Sequence, residues 1–442
     1  MTVPSPSALG RTRLRLPALT ESRFARFACI ILLYFMQGLP VGLATIAIPA
    51  WLAANGASTE EIGVFIFWGL LPWSLKLVNG IIMDRFTFRP MGRRRVWILT
   101  AQFMMVLTLL ALAFVSPSAD QYGLLAGFMF TLNVCAVFND VATDGMTVDL
   151  VPDAERTTIN GIMFASQAVG IAATGFVAGQ LLASGQMSLL AILMACAAAT
   201  ASTFLSVFRE RPGERLLPWS QGQASAECEA RQHNAWWPMA KGILRGVMTP
   251  LTLFYLVGVA VTQATAAFGD SIAPSIAVKE LGWASDDFSS FGGLMYLVAA
   301  AIGALIVPVA VRLFGLRNVV IAISLSLAAV AAVGGLTYST WQNDQIFIIL
   351  LGLQLILALA STIVAVVWAM RICDPAVGAS LFALFMAVPN FSRSAFNGLV
   401  GQVTESVGFS GAYYTVAIVT LIGLAFYLMG RIGDDKIAPP SD

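Results

Sequence analysis

Long apolar segments separated by short polar or Gly/Pro-containing stretches dominate this sequence. A helix needs about 20 apolar residues to cross the roughly 30 Å hydrocarbon layer of a membrane. Segments of that length lie at 26–51, 60–83, 95–115, 121–146, 155–183, 187–208, 244–270, 286–310, 316–338, 344–371, 375–402 and 408–431. They lack the alternation that is typical of barrel strands, so they are predicted to be helices. The sequence therefore predicts an all-α integral membrane protein with twelve transmembrane helices, whose surroundings are a lipid bilayer.

The composition agrees with a membrane protein and gives no sign of a nucleic-acid partner. Hydrophobic residues make up 58% of the chain and charged residues 11%, whereas about 25% of the residues in a soluble domain are charged. The formal net charge is +1, so charge predicts no nucleic-acid surface. The five cysteines stand singly, which predicts neither a disulfide framework nor a metal site.

The distribution of Lys and Arg predicts the orientation in the membrane. Of the 25 basic residues, 22 fall in loops or tails on one side of the predicted helices. Lys279 is the exception on the other side, and Lys76 and Arg393 fall within predicted helices. Because basic loops stay in the cytoplasm, both termini are expected to be cytoplasmic. We expect a multi-pass protein of the inner or plasma membrane of the cell.

The longest interior connection divides the chain into two halves of six helices. The predicted organisation is a cytoplasmic tail over 1–25, a six-helix bundle over 26–208, a cytoplasmic loop over 209–243, a second bundle over 244–431 and a tail over 432–442. Two such bundles are typical of transporters that rock about a site near the membrane midplane. Twelve spans in one chain enclose a pathway unaided, so a monomer is expected.

Charges inside membrane helices are expensive and usually functional. Lys76 and Arg393 are predicted to attract an anionic group of a substrate, and Asp140 or Asp144 to take up a coupling proton. The alternative is that these charges only lock one helix to another. Lys76 and Asp140 lie at similar depths, which predicts an ion pair between them. Because the single histidine, His233, lies in the predicted central loop, a carboxylate is expected to carry the proton.

Uncharged polar residues within the predicted helices are candidates for the substrate pathway. Hydrogen bonds between helices explain such residues nearly as well. The candidates are Gln37, Asn79, Gln167, Asn390 and Asn397, with Gln263 and Gln354 as further ones.

The loop after the second predicted helix carries a family motif. Its Asp84-Arg85 and Gly92-Arg93-Arg94 resemble the signature loop of the major facilitator superfamily. This resemblance implies the two-bundle fold of that superfamily and a cytoplasmic latch between the bundles. It assigns gating roles to Gly80, Asp84, Arg85, Gly92, Arg93 and Arg94 and makes Asp144 a salt-bridge partner.

Further motifs narrow the resemblance within that superfamily. They are Gln37-Gly38-Leu39-Pro40, the stretch Leu71-Pro72-Trp73-Ser74-Leu75-Lys76-Leu77, and Asn139-Asp140 through Asp149-Leu150-Val151-Pro152. Together they resemble the branch that holds AmpG-type muropeptide permeases, acetyl-CoA transporters and some siderophore permeases. The stretch 161–180 does not resemble the motif of drug/proton antiporters, so uptake is favoured over efflux.

These observations predict a secondary active transporter rather than an enzyme. An organic, anionic solute is expected to move by alternating access, coupled to H⁺ as in a symporter. The chain has neither a Gly-x-x-x-x-Gly-Lys-[Ser/Thr] loop nor a His-Glu-x-x-His or Gly-x-Ser-x-Gly motif. No cofactor, metal or catalytic residue is therefore expected. The alternative is a non-transporting membrane assembly or signalling factor, which a sealed, apolar midplane would favour.

Overall fold

The computed structural model describes residues 17–230, 247–341, 344–372 and 378–431. These residues are helical except for short turns and the segment that follows the eighth helix. Ten helical stretches among them are long and apolar enough to cross a membrane. The predicted all-α membrane class is confirmed.

Residues before 209 form eight α-helices, some of which are pieces of one longer rod. They are α1 (Arg23–Gly42), α2 (Ile48–Ala54), α3 (Thr59–Leu70), α4 (Lys76–Arg85), α5 (Arg95–Val115), α6 (Tyr122–Leu150), α7 (Asp153–Ala183) and α8 (Met187–Ser206). A π-helical turn, Leu43–Ala47, joins α1 to α2 without a break. Pro49 follows this turn. Because its ring would clash with the carbonyl of Thr45 in a straight α-helix, the wider turn accommodates the proline.

The segment predicted as one helix over 60–83 is interrupted in its middle. A 3₁₀ turn, Leu71–Leu75, separates α3 from α4, and Pro72 lies at its start. Proline has no N–H to donate to the preceding helical turn, so the α-helical bonding stops there. Lys76 is the first residue of α4 and so lies at the break.

The rest of the described chain contains six helices. They are α9 (Ala226–Ala230), α10 (Pro250–Ser275), α11 (Ser285–Phe314), α12 (Leu316–Thr337), α13 (Asp344–Ile372) and α14 (Gly378–Met429). Gly408, with φ 70° and ψ 174°, bends α14 into two arms. Those arms correspond to the predicted segments 375–402 and 408–431.

The helix predicted over 244–270 ends later than expected. In the structure α10 continues to Ser275, and a π turn, Ile276–Glu280, extends it further. Asp270 therefore lies inside a membrane helix and not at its end.

Four apolar cores hold the helices together. Two consist of buried residues between Leu19 and Leu205, and two are drawn almost entirely from residues after Tyr255. Contact between the two parts of the chain runs along two helix pairs, α7 with α11 and α3 with α14. At Gly175 of α7, an added Cβ would lie 2.5 Å from the carbonyl oxygen of Ser289 on α11. The close approach of these helices requires glycine there.

Polar contacts join the two parts of the chain at one end of the helices, and we call them the seam. Lys279 Nζ donates to the carbonyl oxygen of Ala57, and Thr59 Oγ1 lies 3.2 Å from Ser275 Oγ. Gln180 Nε2 donates to Asp286 Oδ2 at 3.0 Å. The seam connects the turn after α2 and the start of α3 to the end of α10, and the last turn of α7 to the start of α11.

Candidate functional site

A cavity of about 230 Å³ lies between the two parts of the chain. Its walls come mainly from α10, α11, α13 and α14, and Thr45, Ile46 and Lys76 are contributed by the first part. The polar side chains that line it include Thr45, Lys76, Gln263, Asp270, Gln354, Asn390 and Arg393, and two tyrosines, Tyr255 and Tyr296, also face it. Charged and amide groups thus lie in an otherwise apolar membrane interior.

Arg393 and Asp270 form a bidentate ion pair at the wall of the cavity. Arg393 Nε donates to Asp270 Oδ2 and Nη2 donates to Oδ1, each at 2.7 Å. The Arg393 side chain is 27% exposed and that of Asp270 10% exposed. Paired donors and acceptors of this kind fix the plane of both groups. The pair therefore holds the guanidinium in one orientation, with part of it open to the cavity.

Asn397 contacts both members of this pair. It lies four residues after Arg393, which places both on one face of α14. Its Nδ2 lies 3.3 Å from Asp270 Oδ2 and 2.9 Å from the carbonyl oxygen of Arg393. Ser271 donates its hydroxyl proton to Asn397 Oδ1. Asn397 is completely buried, so it orients Asp270 and does not contact the open cavity.

A second ion pair joins Lys76 and Asp140, as predicted. Lys76 Nζ lies 2.5 Å from Asp140 Oδ2 and 5.0 Å from the ring centre of Trp73. Asp140 is 1% exposed, whereas Lys76 reaches the cavity. Gln37 Nε2 donates to the other carboxylate oxygen of Asp140. The lysine therefore links a buried carboxylate to the cavity.

Asp144 lies one helical turn after Asp140 and has its own partner on α1. The hydroxyl of Tyr34 donates to Asp144 Oδ1, and Tyr34 is one turn before Gln37. Two carboxylates of α6 thus face two hydrogen-bond donors of α1. Gln37 Oε1 accepts no hydrogen bond from the described part of the chain.

The remaining predicted pathway residues divide into two groups. Asn390 lines the cavity and donates from Nδ2 to the carbonyl oxygen of Met386 at 2.9 Å. Asn79 is buried on α4 and Gln167 is half-buried on α7, and neither belongs to the cavity lining found among the described residues. Gln354 lines the cavity and donates to the carbonyl oxygen of Thr265 at 3.2 Å.

The signature loop is held by a carboxylate that the sequence did not point to. The Glu210 carboxylate accepts hydrogen bonds from the backbone N–H groups of Arg93 at 2.9 Å, Arg94 at 2.8 Å and Arg95. Glu210 is 1% exposed, and burial raises its pKa. Gly92 has a φ of 97°, and an added Cβ there would lie 2.5 Å from Glu210 Cδ. Glycine is therefore required where the loop wraps around this carboxylate.

The arginines of the loop reach a carboxylate other than the expected one. Arg93 Nη1 lies 3.6 Å and Arg94 Nε 3.8 Å from Asp149 Oδ2. The resemblance implied Asp144 in this role, but Asp144 accepts from Tyr34. Asp149 lies at the end of α6, closer to the loop, which explains the difference.

The other predicted gating residues lie on α4. Arg85 is exposed and its guanidinium lies 5.7 Å from the ring centre of Phe86. An added Cβ at Gly80 would lie 3.8 Å from Val141 Cγ1, so Gly80 packs on α6. The side chain of Asp84 is outside the described part of the structure.

Sequence reasoning missed Asp270 and Glu210. Asp270 carried a usable signal, because Arg393 is a cation within an apolar helix and needs a carboxylate, and Asp270 lies at the edge of another such helix. Glu210 carried none, since it lies in a polar stretch with many charges. Among the described residues, no three His, Cys, Asp or Glu side chains are grouped to hold a metal ion.

Comparison with known proteins agrees with the motifs. The family model described as acetyl-coenzyme A transporter 1 matches residues 26–151. The anhydromuropeptide permease of Escherichia coli (strain K12) is 22% identical over 420 residues, which cover 92% of this chain and 80% of that protein.

Solved transporters share the fold. A bacterial homologue of the human lysosomal transporter Spinster gives a TM-score of 0.70 at 14% identity and covers 95% of this chain and 100% of its own. A D-xylose-proton symporter gives 0.66 at 12% identity, with 93% and 97% covered. At this identity the likeness establishes the fold. The predicted resemblance to the muropeptide permeases and acetyl-CoA transporters is confirmed, and these relatives are not enzymes. The chain is a multi-pass membrane protein with the fold of major facilitator transporters.

Proposed function

We propose that this protein is a secondary active transporter that takes up an anionic organic solute by alternating access, coupled to protons. The observation that carries the proposal is the cavity between the two parts of the chain, in which Lys76 and Arg393 each lie beside a carboxylate. Charges at such depth are retained where a substrate or ion pathway needs them.

The proposed topology has twelve spans with both termini in the cytoplasm. Ten stretches qualify by length and composition, and one of them contains both arms of α14. Counting these arms separately and adding α3 with α4, which the 3₁₀ turn interrupts, brings the number to twelve. The spans then form bundles over 26–208 and 244–431, connected by the cytoplasmic loop 209–243.

In this orientation the seam lies on the extracellular side. Lys279, the basic residue that falls outside the cytoplasmic loops, belongs to the seam. The conformation is then closed to the outside, and the cavity opens toward the cytoplasm. Rocking of the two bundles about the cavity would open the seam and admit the solute from outside.

The anionic character of the solute follows from the charges that reach the cavity. Lys76 and Arg393 both line the cavity. Because each of their partners, Asp140 and Asp270, is neutralised by its cation, the cavity carries no excess negative charge. The names of the relatives are consistent with such a solute, since an anhydromuropeptide and acetyl-CoA both carry anionic groups. In the pathway we propose, Lys76, Arg393 and Asn390 line the cavity, and Gln37 and Asn397 hold the carboxylates paired with the two cations. Asn79 and Gln167 are its further proposed members.

Asp140 and Asp144 are the proposed proton-coupling groups. When the solute's anion draws Lys76 toward the cavity, Asp140 loses its counter-charge. A buried carboxylate without a counter-charge favours its protonated form. Binding of the anion would thereby promote proton uptake at the same site, which links the two transported species.

The signature loop is the proposed cytoplasmic gate. Gly80, Asp84, Arg85, Gly92, Arg93 and Arg94 belong to it, and Asp149 and Glu210 hold its arginine-rich end. In the outward-facing state this loop would meet the second bundle and close the cavity from inside.

A monomer suffices, because one chain supplies every wall of the cavity. A non-transporting assembly factor would have no use for two charged pairs at an open cavity.

Uptake into vesicles tests this function. Right-side-out and inverted vesicles are incubated with labelled anhydromuropeptide or acetyl-CoA in the external medium, with and without a proton gradient. We expect gradient-dependent accumulation that Arg393→Ala and Asp140→Asn abolish. Arg371→Ala and Asp287→Asn, which alter exposed residues, are the matched controls and should transport normally. Transport that both site variants leave unchanged would contradict the assigned roles, and absence of transport in either orientation would contradict the function.

A further inference from the structure

Asp270 fills the place where a substrate anion would bind. Its two oxygens accept from Arg393 Nε and Nη2 at 2.7 Å, and Asn397 Nδ2 lies 3.3 Å from Oδ2. This is the geometry in which a guanidinium receives any planar two-oxygen anion. The donor set is therefore already arranged for a carboxylate, and a side chain of the protein occupies it.

We propose that Asp270 is an internal competitor for the anion site, and that the carboxylate of the solute binds Arg393 only after Asp270 takes up a proton. This inference rests on the proposed function and adds a proton-coupling residue in the second bundle. Asp270 accepts the proton on Oδ1 or Oδ2. Arg393 then donates its two hydrogen bonds to the entering carboxylate. The net charge at Arg393 is the same before and after the exchange.

Exposure of the pair favours this exchange over a purely structural lock. The Arg393 side chain is 27% exposed and lines the cavity together with Asp270. Asn397, which contacts Asp270, and Ser271, which donates to Asn397, are completely buried. An anion in the cavity can therefore reach the guanidinium without moving the groups that orient it.

Other charged and titratable groups lie around Asp270. On α14 these are Arg393 and the neutral Asn397, and on α11 Tyr296 lies near both members of the pair. From the first part of the chain, Lys76 lines the same cavity. The Arg393–Asp270 and Lys76–Asp140 pairs are each neutral, so an anion that enters alone would leave an uncompensated negative charge in the cavity. Proton and anion are thus expected to bind together.

The Lys76–Asp140 pair differs from this arrangement. Asp140 is 1% exposed and Lys76 approaches it with a single Nζ atom. A lysine ammonium presents a point charge and lacks the paired donors of a guanidinium. Arg393 is therefore the residue suited to recognise a carboxylate.

The test measures the rate at which phenylglyoxal modifies Arg393 in the full-length protein in liposomes, with acetate as the probe. The rate with a large excess of acetate is compared with the rate without it at about pH 8 and about pH 5.5. In the wild type, acetate should slow modification at the lower pH and leave it unchanged at the higher one. In Asp270→Asn, acetate should protect at both, and unprotected modification at the higher pH should be roughly tenfold faster than in the wild type. Asp287→Asn, which alters an exposed aspartate of α11, should behave as the wild type.

Equal protection of the wild type at both pH values would overturn the proposal, as would failure of acetate to protect Asp270→Asn. If the variant does not fold, the comparison of acetate protection in the wild type at the two pH values remains decisive. Inorganic phosphate in place of acetate separates a carboxylate site from a phosphate site. Since no transport is measured, this result is independent of the uptake experiment, and either can fail alone.

Discussion

The ammonium group of Lys76 lies 2.5 Å from Asp140 Oδ2, across the boundary between the broken helix α3–α4 and the buried face of α6. Lys76 begins α4 because Pro72 ends the preceding helical bonding. The break thus places a cation beside a carboxylate that is 1% exposed. Each group therefore depends on the other to compensate its charge.

The two members of this pair are expected to be energetically coupled, so that their separate removal costs do not add. Lys76→Met or Asp140→Asn should each lower the free energy of unfolding by about 3–5 kcal/mol, because an unpaired charge or its partner's donor remains buried. The double variant should fall short of the sum by about 1–3 kcal/mol. Chemical unfolding in mixed micelles measures these values. The pair Lys76→Met with Asp287→Asn, in which the aspartate is exposed, should be additive, and additivity in the first pair would rule out the coupling.

The close approach at Gly175 should control the closure of the seam. Gly175→Ala places a Cβ 2.5 Å from the carbonyl oxygen of Ser289, and overpacking of this kind costs about 1–3 kcal/mol. The closed seam should therefore become less populated. Labelling of a cysteine introduced at Thr59 with a membrane-impermeant thiol reagent reports on the seam, and its rate should rise at least about fivefold.

Gly127→Ala is the matched control for this experiment. Nothing lies within 4 Å of a Cβ added at Gly127, so the same substitution should leave labelling of Thr59→Cys unchanged. Equal labelling in the two alanine variants would show that the contact between α7 and α11 does not keep the seam closed.

Most of the fold could be predicted from hydropathy, and part of the site from isolated charges. Helices such as α5 stand out because apolar composition over 95–115 leaves few alternatives. The pairing of Lys76 with Asp140 could be expected because both lie at one depth. The partner of Arg393 could not, since the extension of α10 past residue 270 depends on packing against α14 that hydropathy does not record.

The loop partner Glu210 shows a second limit of sequence reasoning. Its role depends on three backbone N–H groups at the start of α5, 115 to 117 residues away along the chain. A pattern of residue types contains no information on where backbone donors converge. The motif identified the arginines of the loop, and the structure was needed to find what holds them.

Glu210→Gln is expected to loosen the signature loop. Hydrogen bonds to a charged group contribute about 1.5–3 kcal/mol each, so loss of the charge should lower the free energy of unfolding by at least about 2 kcal/mol. Hydrogen exchange at the amides of Arg93, Arg94 and Arg95 should become faster. Glu227→Gln, at an exposed position in the same part of the chain, should change neither quantity. Unchanged exchange in Glu210→Gln would contradict the anchoring role.

Glu214 should make the stability of the segment after α8 depend on pH. Burial, together with the neighbouring charge of Glu210, raises the pKa of Glu214 from 4.5 to about 7. The folded protein therefore holds this proton more tightly than the unfolded chain does, and stability from this group is fully present below about pH 4.5 and is lost as the pH rises through about 7. Unfolding of the wild type and of Glu214→Gln is compared across this range. Their difference should favour the wild type most at low pH, and a difference that grows with pH would have the wrong sign.

Proton movement driven by the solute alone tests the central claim most directly. Proteoliposomes that contain a pH-sensitive dye receive an inward gradient of the solute that the uptake experiment identifies, with no imposed proton gradient. Coupled uptake predicts that the lumen becomes acidic, and that Asp140→Asn abolishes this change while Asp287→Asn preserves it. Entry of the labelled solute with no change in luminal pH would contradict proton coupling through this site.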